Sequence, residues 1–332
     1  MNAQNAPFVV RICQRLDGIP LALELAAAQI RALGLDEIAA RLEQHLELRD
    51  AAGRHARQQT LRALMDWSYE LLDEVGKLLL ARLAVFAGGW TLEQATVVAG
   101  GYARADVTWQ PLQAAANVSP LPVTAEFVMR ALLNNLVSKS LVIVESGQTP
   151  RYRFLETIRE YARERAQQSG DWTALELSHY EYFAAFAARA EPELHGKAMG
   201  EWLAHLDSVH AEFRIALSRA LQWGETDALQ LSVALGYYWR IRSFFKEGYG
   251  WLEASLNRAG ENVPPGLRAQ TFFHLGEFTR LQGNLLEAKP HYETALALAR
   301  EVGDYALFTH VTQSEPEATE LTVQIMWRDG RG

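Results

Sequence analysis

Two stretches of this chain match each other at a shift of 40 residues, and that internal repeat narrows the available folds more than any other feature. Leu235-Gly236-Tyr237 superposes on Leu275-Gly276-Glu277. The same shift brings Glu247 onto Glu287, Leu252-Glu253 onto Tyr292-Glu293 and Ser255-Leu256 onto Ala295-Leu296. Gly236 is spaced from Gly248 as Gly276 is from Ala288. Small residues at that interval let two antiparallel helices approach closely, while large apolar ones fill the seam. The clearest copy spans Ala269 to Asp304 with Gly283-Asn284 as its turn; a looser one covers about 229–262, and 173–224 reads as a more divergent helical pair.

The spacing is tetratricopeptide-like, so residues 171–304 are expected to stack as an α-solenoid whose concave face suits peptides or partner helices. Tyr237, Tyr238, Trp239, Phe244 and Phe245 form a dense aromatic cluster. Most of it should be repeat core, with Tyr237, Trp239 and Phe244 the candidates for anchors to a protein partner. From Tyr305 to Gly332 the helix-pair spacing gives way to Pro316, several threonines and a terminal Arg-Asp-Gly-Arg-Gly. Residues 305–332 are therefore expected to be an atypical tail, disordered or the product of an altered reading frame, that leaves the last repeat an uncovered apolar edge.

Residues 1–50 read as a small helical subdomain, with Val9, Ile12, Leu16 and then Leu21, Leu25, Ala28 at helical spacing. Its second helix opens on Gly18-Ile19-Pro20. Glycine takes backbone angles closed to other residues, and proline fixes φ near the helical value where a missing N–H costs nothing. Residues 49–59 form a polar connection in which Arg54, Arg57 and Gln58 are solvated or meet a nucleotide or partner domain. Thr60, Asp73 and Thr91 can each cap a helix, the first running to Leu72 and the second to Phe86, and Phe127 to Ser138 should be helical. Leu141–Val144 and Tyr152–Phe154 switch to β-branched and aromatic runs around Gly147 and Pro150, which predicts two strands and a turn. A closing helix then starts near Glu156 with Ile158, Tyr161 and Ala162 inward. Residues 100–124 read as an inserted loop.

Four motifs follow one another: Gly18-Ile19-Pro20-Leu21-Ala22; Gln59-Thr60-Leu61-Arg62 with Asp66-Trp67-Ser68-Tyr69; Val85-Phe86-Ala87-Gly88-Gly89-Trp90; and Leu136 to Leu141 leading into Tyr152 to Ala162. In that order they resemble the NB-ARC/STAND signal-transducing NTPases, particularly the AfsR/LuxR-like bacterial regulators that join such a module to tetratricopeptide repeats. The resemblance implies a helical subdomain following a nucleotide core, a winged-helix domain over 60–168, and then repeats. It implies Gly18 and Pro20 as nucleotide contacts, with Pro20 against the adenine. Where the family carries a phosphate-sensing histidine this chain has Leu155, which cannot hydrogen-bond phosphate. ATP or ADP and magnesium are implied only for the parent architecture, and a separate nucleotide-binding module becomes an expected partner.

Several chemistries lack their parts. No Gly-x-x-x-x-Gly-Lys-Ser/Thr occurs, and Gly196-Lys197 is followed by Ala198, so no loop of amides cradles β- and γ-phosphates. No apolar strand ends in the paired acids that would hold magnesium. None of the nine histidines forms a metal-ligand set, and Cys13 is the only cysteine. No run approaches the ~18 apolar residues of a membrane span and no leader pattern opens the chain, so cytoplasmic residence is expected. A net charge of −8 disfavours wholesale binding to nucleic acid or anionic membrane. A winged helix could still read DNA through Arg130, Asn134 and Lys139 on its candidate reading helix and Arg151 and Arg153 on its wing. Residues 60–168 hold 11 Lys/Arg against 11 Asp/Glu, which favours a solvated surface instead.

The expectation is a mainly α fragment of a longer regulator: a non-catalytic part of an ATP-dependent signal-transduction or transcription system that relays partner or ligand binding on its repeats to a winged-helix switch. A DNA-binding winged-helix regulator and a plain protein-interaction scaffold are the alternatives. Because phosphoryl transfer is positioning plus charge stabilisation, the purified chain is expected to leave ATP intact with magnesium. Turnover abolished by a point change in this sequence would contradict that.

Overall fold

In the computed structural model the chain is described over residues 5–16, 18–31, 33–47, 56–101, 124–147, 149–168, 170–224 and 226–314. Arg54, most of the 100–124 insertion and the tail beyond 314 lie outside these residues. The protein is mainly α-helical, with one two-stranded antiparallel sheet among the described residues. It divides into two compact units, Met1–Ser178 and His179–Gly332. No helix among the described residues is long and apolar enough to cross a membrane.

The first unit opens with α1 (Ala6–Arg15), α2 (Pro20–Ala28), which runs into a 3₁₀ turn, and α3 (Leu35–Glu47). Gly18 has φ +66° and α2 starts at Pro20, the corner the residue types require. Then come α4 (Ala56–Glu70), α5 (Glu74–Leu83), the short α6 (Leu92–Gln94) continuing as a π-turn, and α7 (Ala125–Ser138). The chain next forms β1 (Ile143–Glu145), β2 (Arg151–Arg153) and α8 (Glu156–Gln168). Asp73 caps α5 by accepting the Gly76 amide at 2.8 Å, and Thr91 with Gln94 forms a reciprocal capping box. Thr60 departs from its predicted role. It lies buried inside α4, which already runs from Ala56.

The two strands pair Ile143 with Arg153 and Glu145 with Arg151. Trp90 adds an edge to them: its N–H donates to the Tyr152 carbonyl at 2.8 Å and Tyr152 returns the bond at 2.7 Å. Gly89, at φ +106°, makes this possible, since a Cβ there would sit 2.7 Å from the Tyr152 oxygen. The Trp90 ring, 1% exposed, packs on Phe86 and Phe154 with ring centroids 5.5 and 4.9 Å away. On α8, Arg165 and the Tyr161 hydroxyl both reach Asp66 of α4, at 2.7 and 2.9 Å, fastening the closing helix to the opening one.

The long α9 (Trp172–Glu193) carries the chain into the second unit, followed by α10 (Met199–Ser208) and α11 (His210–Trp223). The repeats are α12 (Asp227–Ile241) with α13 (Phe245–Ala259), then α14 (Pro265–Leu281) with α15 (Leu285–Val302). Their glycines are contact points. A Cβ on Gly248 would lie 2.6 Å from the Phe278 ring and 2.8 Å from Trp239; on Gly236, 2.6 Å from the His274 imidazole; on Gly276, 2.9 Å from Tyr292. Ala288, the small residue of the second copy, is 1% exposed.

The tail expectation needs correction over its first ten residues. Tyr305–Ser314 form a helix, α16, packed on α15 with Val311 fully buried. The 40-residue period continues there: Leu231, Thr271 and Val311 are equivalent and all buried, so the last complete helix pair is covered.

The close approaches set a contrast within one helix. Gly248→Ala must displace two buried rings and is expected to cost about 1–3 kcal/mol. Gly250→Ala on α13 meets nothing within 4 Å and should be neutral or stabilise by up to about 1 kcal/mol. Chemical denaturation of both variants checks the contrast; equal effects would refute it.

Candidate ligand-binding groove

In the second unit α9, α12, α14 and α16 line a groove of about 670 Å³. Its wall follows the repeat: Gln230 and Gln270 are equivalent and His310 continues the series, as do Val233, Phe273 and Gln313, and Leu267 and Leu307. The floor carries the chemistry. Glu277, 1% exposed, accepts the Tyr292 hydroxyl at 2.6 Å and the Arg280 Nε and Nη2 at 3.2 and 3.1 Å. An Nη1 of Arg240 stands 3.6 Å from the same carboxylate. Burial, and then the Glu277 bond, push the Tyr292 hydroxyl well above its ordinary range. Arg240 also lies 4.4 Å over the Tyr237 ring, and His195 approaches that ring at 4.0 Å.

His274 completes the floor. Its Nδ1 is buried and has no hydrogen-bond partner among the described residues. Burial lowers its pKa to about 4, with Glu277 opposing and Arg240 assisting. A neutral imidazole results, held between Gly236 and the aromatic Phe278.

The structure separates the aromatic candidates. Trp239 is 1% exposed and is core, which removes it as a partner anchor: it is packed on the glycine at 248. Tyr237 is half-buried and lines the groove, but His195 and Arg240 occupy its neighbourhood, leaving no open ring face to claim as a stacking platform. Phe244 is 36% exposed, outside the groove, and packs on His210 at 4.9 Å. Sequence reading missed Gln230, Gln270, Arg240, His274 and Glu277. The 40-residue register that pairs Gln230 with Gln270 was the signal available for them.

In the first unit the candidate residues are dispersed. Gly18 and Pro20 are exposed at the start of α2. Leu155 is half-buried between β2 and α8, where its carbonyl accepts the Arg159 amide at 2.9 Å. Glu156 pairs with Arg159, which holds its carboxyl below the usual range. Arg130 and Asn134 are exposed on α7, and Lys139 follows that helix half-buried. The hairpin arginines are engaged within the protein: Arg153 with Glu145 at 2.5 Å, and Arg151 with the Gly89 carbonyl at 3.2 Å. No group of residues that could hold a metal occurs among the described residues.

No protein-family model matches the chain. A Mycobacterium tuberculosis protein, with a counterpart in Mycobacterium bovis, is 34% identical over 326 residues, covering 91% of this chain and 33% of its own length. It is provisionally described as an HTH-type transcriptional regulator. A second Mycobacterium tuberculosis protein, itself uncharacterized, is 38% identical over 183 residues, which is 54% of this chain and 42% of that one. This chain thus spans about a third of the length of the first relative (33%). A signal-transduction ATPase of the STAND class with a tetratricopeptide-repeat sensor, from Pyrococcus horikoshii, aligns over 92% of this chain and 47% of its own, with 14% identity and a TM-score of 0.38.

The histidine in the floor gives the second unit an acid limb. Its folded pKa lies below the ordinary 6.5, so the stabilisation from keeping it neutral is complete above about pH 6.5 and is lost as pH falls toward 4. Urea denaturation of the wild type and His274→Gln between pH 7 and 4 should show a flatter profile in the variant. Parallel profiles would rule the contribution out.

Proposed function

We propose that this chain is the non-catalytic, signal-receiving part of an ATP-dependent transcription regulator. A ligand or protein partner held by the helical repeats biases a winged-helix switch built from α4 to α8 and the hairpin. The groove carries this reading: a concave site with walls of mixed apolar and polar side chains, convergent polar groups on its floor and a perturbed histidine is what a recognition site requires. The mycobacterial relatives, described as HTH-type transcriptional regulators, support transcription as the output. The exposed Gly18–Pro20 corner is offered to a nucleotide held by a separate module, and Leu155 gives the hairpin side of that contact no phosphate sensor.

A second reading, direct DNA binding through α7 and the hairpin, draws support from the same relatives' description. The internal pairing of Arg151 and Arg153 speaks against it, because phosphate contacts are made by side-chain donors that the protein itself does not already occupy. Gel-shift titration is expected to show no tight, steeply salt-dependent binding. For the first reading, transcript profiles are compared in the encoding cell for the wild type and Ala234→Trp, which fills the groove. The variant is expected to lose the transcriptional response while retaining its circular dichroism; an unchanged response would overturn the proposal.

A further inference from the structure

We propose that a second cleft, separate from the groove, binds a guanidinium group on Glu287, borne by free arginine or by an arginine of a protein chain. The cleft lies where α13, the end of α14 and the start of α15 meet. It encloses about 360 Å³, and its lining includes Lys246, Tyr249, Gln282, Asn284, Glu287 and His291. The preceding joint of the repeats shows what this place holds when the chain fills it from within. There Glu247, near the start of α13, takes Arg214 of α11 on both oxygens, Nε at 2.7 Å and Nη2 at 2.6 Å, and His210 at 3.2 Å. Glu247 and Glu287 are equivalent in the 40-residue repeat, as are Tyr238 and Phe278. His210 packs on Tyr238 with ring centroids 5.7 Å apart, and Phe245 packs on Phe278 at 6.2 Å. Phe245 therefore holds the place of His210, and one turn further along the helix Tyr249 holds the place of Arg214. Both cations of the first joint are missing from the second. Glu287 is exposed and makes no hydrogen bond or ion pair among the described residues.

The charge and chemistry of the cleft suit the missing group. Burial, and then Glu253 and Glu287, raise the Tyr249 hydroxyl above its ordinary range, so two carboxylates bear on this wall against the single ammonium of Lys246. Burial also lowers the pKa of His291, which leaves that imidazole neutral at pH 7 and adds no second cation. Lys246 is exposed, and its flexible stem lets the ammonium move aside. Asn284 makes no side-chain capping bond at the start of α15, so its amide oxygen is open to a donor beside the carboxylate. The Tyr249 and His291 rings, with centroids 6.4 Å apart, supply an aromatic wall. A planar, weakly hydrated guanidinium packs on such a wall better than a compact ammonium, and its fork meets a carboxylate with two parallel hydrogen bonds, as Arg214 does at the first joint.

The test follows the side-chain amide signals of Gln282 and Asn284 in the full chain by NMR during titration with four probes. These are free L-arginine, N-acetyl-Ala-Arg-Ala-amide, and the same peptide with lysine or with the uncharged isostere citrulline in place of arginine. A saturable shift with one or both arginine probes is expected, weakened about fivefold in Glu287→Gln. It should be lost in Tyr249→Arg, which returns to the cleft the guanidinium that Arg214 supplies at the first joint. The lysine peptide should bind more weakly and the citrulline peptide not at all. Response to free arginine assigns a small ligand; response to the arginine peptide alone assigns a protein chain. Citrulline or lysine binding as well as arginine, or binding undiminished in Glu287→Gln, would overturn the assignment, as would undiminished binding in a Tyr249→Arg variant with unchanged circular dichroism. Should Tyr249→Arg fail to fold, Glu287→Gln decides alone. No saturable response to any probe would also overturn the proposal, and the groove's role is untouched by either result.

Discussion

The second unit depends on how closely its helices can approach. Glycine at 236, 248 and 276 brings a ring from a facing helix to where a Cβ would otherwise stand, and those rings, from Trp239, His274, Phe278 and Tyr292, make up much of the seam. Each repeat is therefore locked by a small residue against a large one contributed from elsewhere. The groove is a by-product of that arrangement, since the first helices of successive repeats must lie side by side to bring Gly236 against His274.

The first unit uses a different constraint. Its hairpin is only three residue pairs long, too short to be stable alone, and it is held because Trp90 pairs with Tyr152 while its ring is buried between Phe86 and Phe154. Asp66, shared by Tyr161 and Arg165, fixes the closing helix to α4. The two cations that a DNA-reading hairpin would offer are used instead to brace it.

Much of this was legible in the sequence where a residue type has one local use. The caps Asp73 and Thr91, the Gly18–Pro20 corner, the switch to strands near 143 and 151, and the inward stripe of Ile158, Tyr161 and Ala162 all depend on near-neighbour physics. The 40-residue repeat was visible for the same reason. Errors arose where tertiary burial decides. Thr60 has a capping side chain but sits inside a helix, and Trp239 belongs to a cluster that reads mostly as core, in which only the packed neighbours tell core from anchor. Residues 305–314 read as irregular in sequence beside Pro316 and the threonines, although Leu307 and Val311 keep the period. The groove floor was hidden because Arg240, His274 and Glu277 are ordinary polar residues in sequence, made distinctive only by the helices that bring them together.

Glu277 has a consequence for the order in which the repeats come apart. Stacked helix pairs can melt one by one when the contacts inside a pair outweigh those between pairs. Here one buried carboxylate engages Arg280 on its own helix and Tyr292 on the partner helix, with Arg240 of the preceding repeat held nearby. Both donors belong to the second pair, so peeling α14 and α15 away together keeps those bonds, whereas parting α15 from α14 would strip the carboxylate of Tyr292. The carboxylate thus welds α14 to α15, and those two helices should lose hydrogen-exchange protection as one unit.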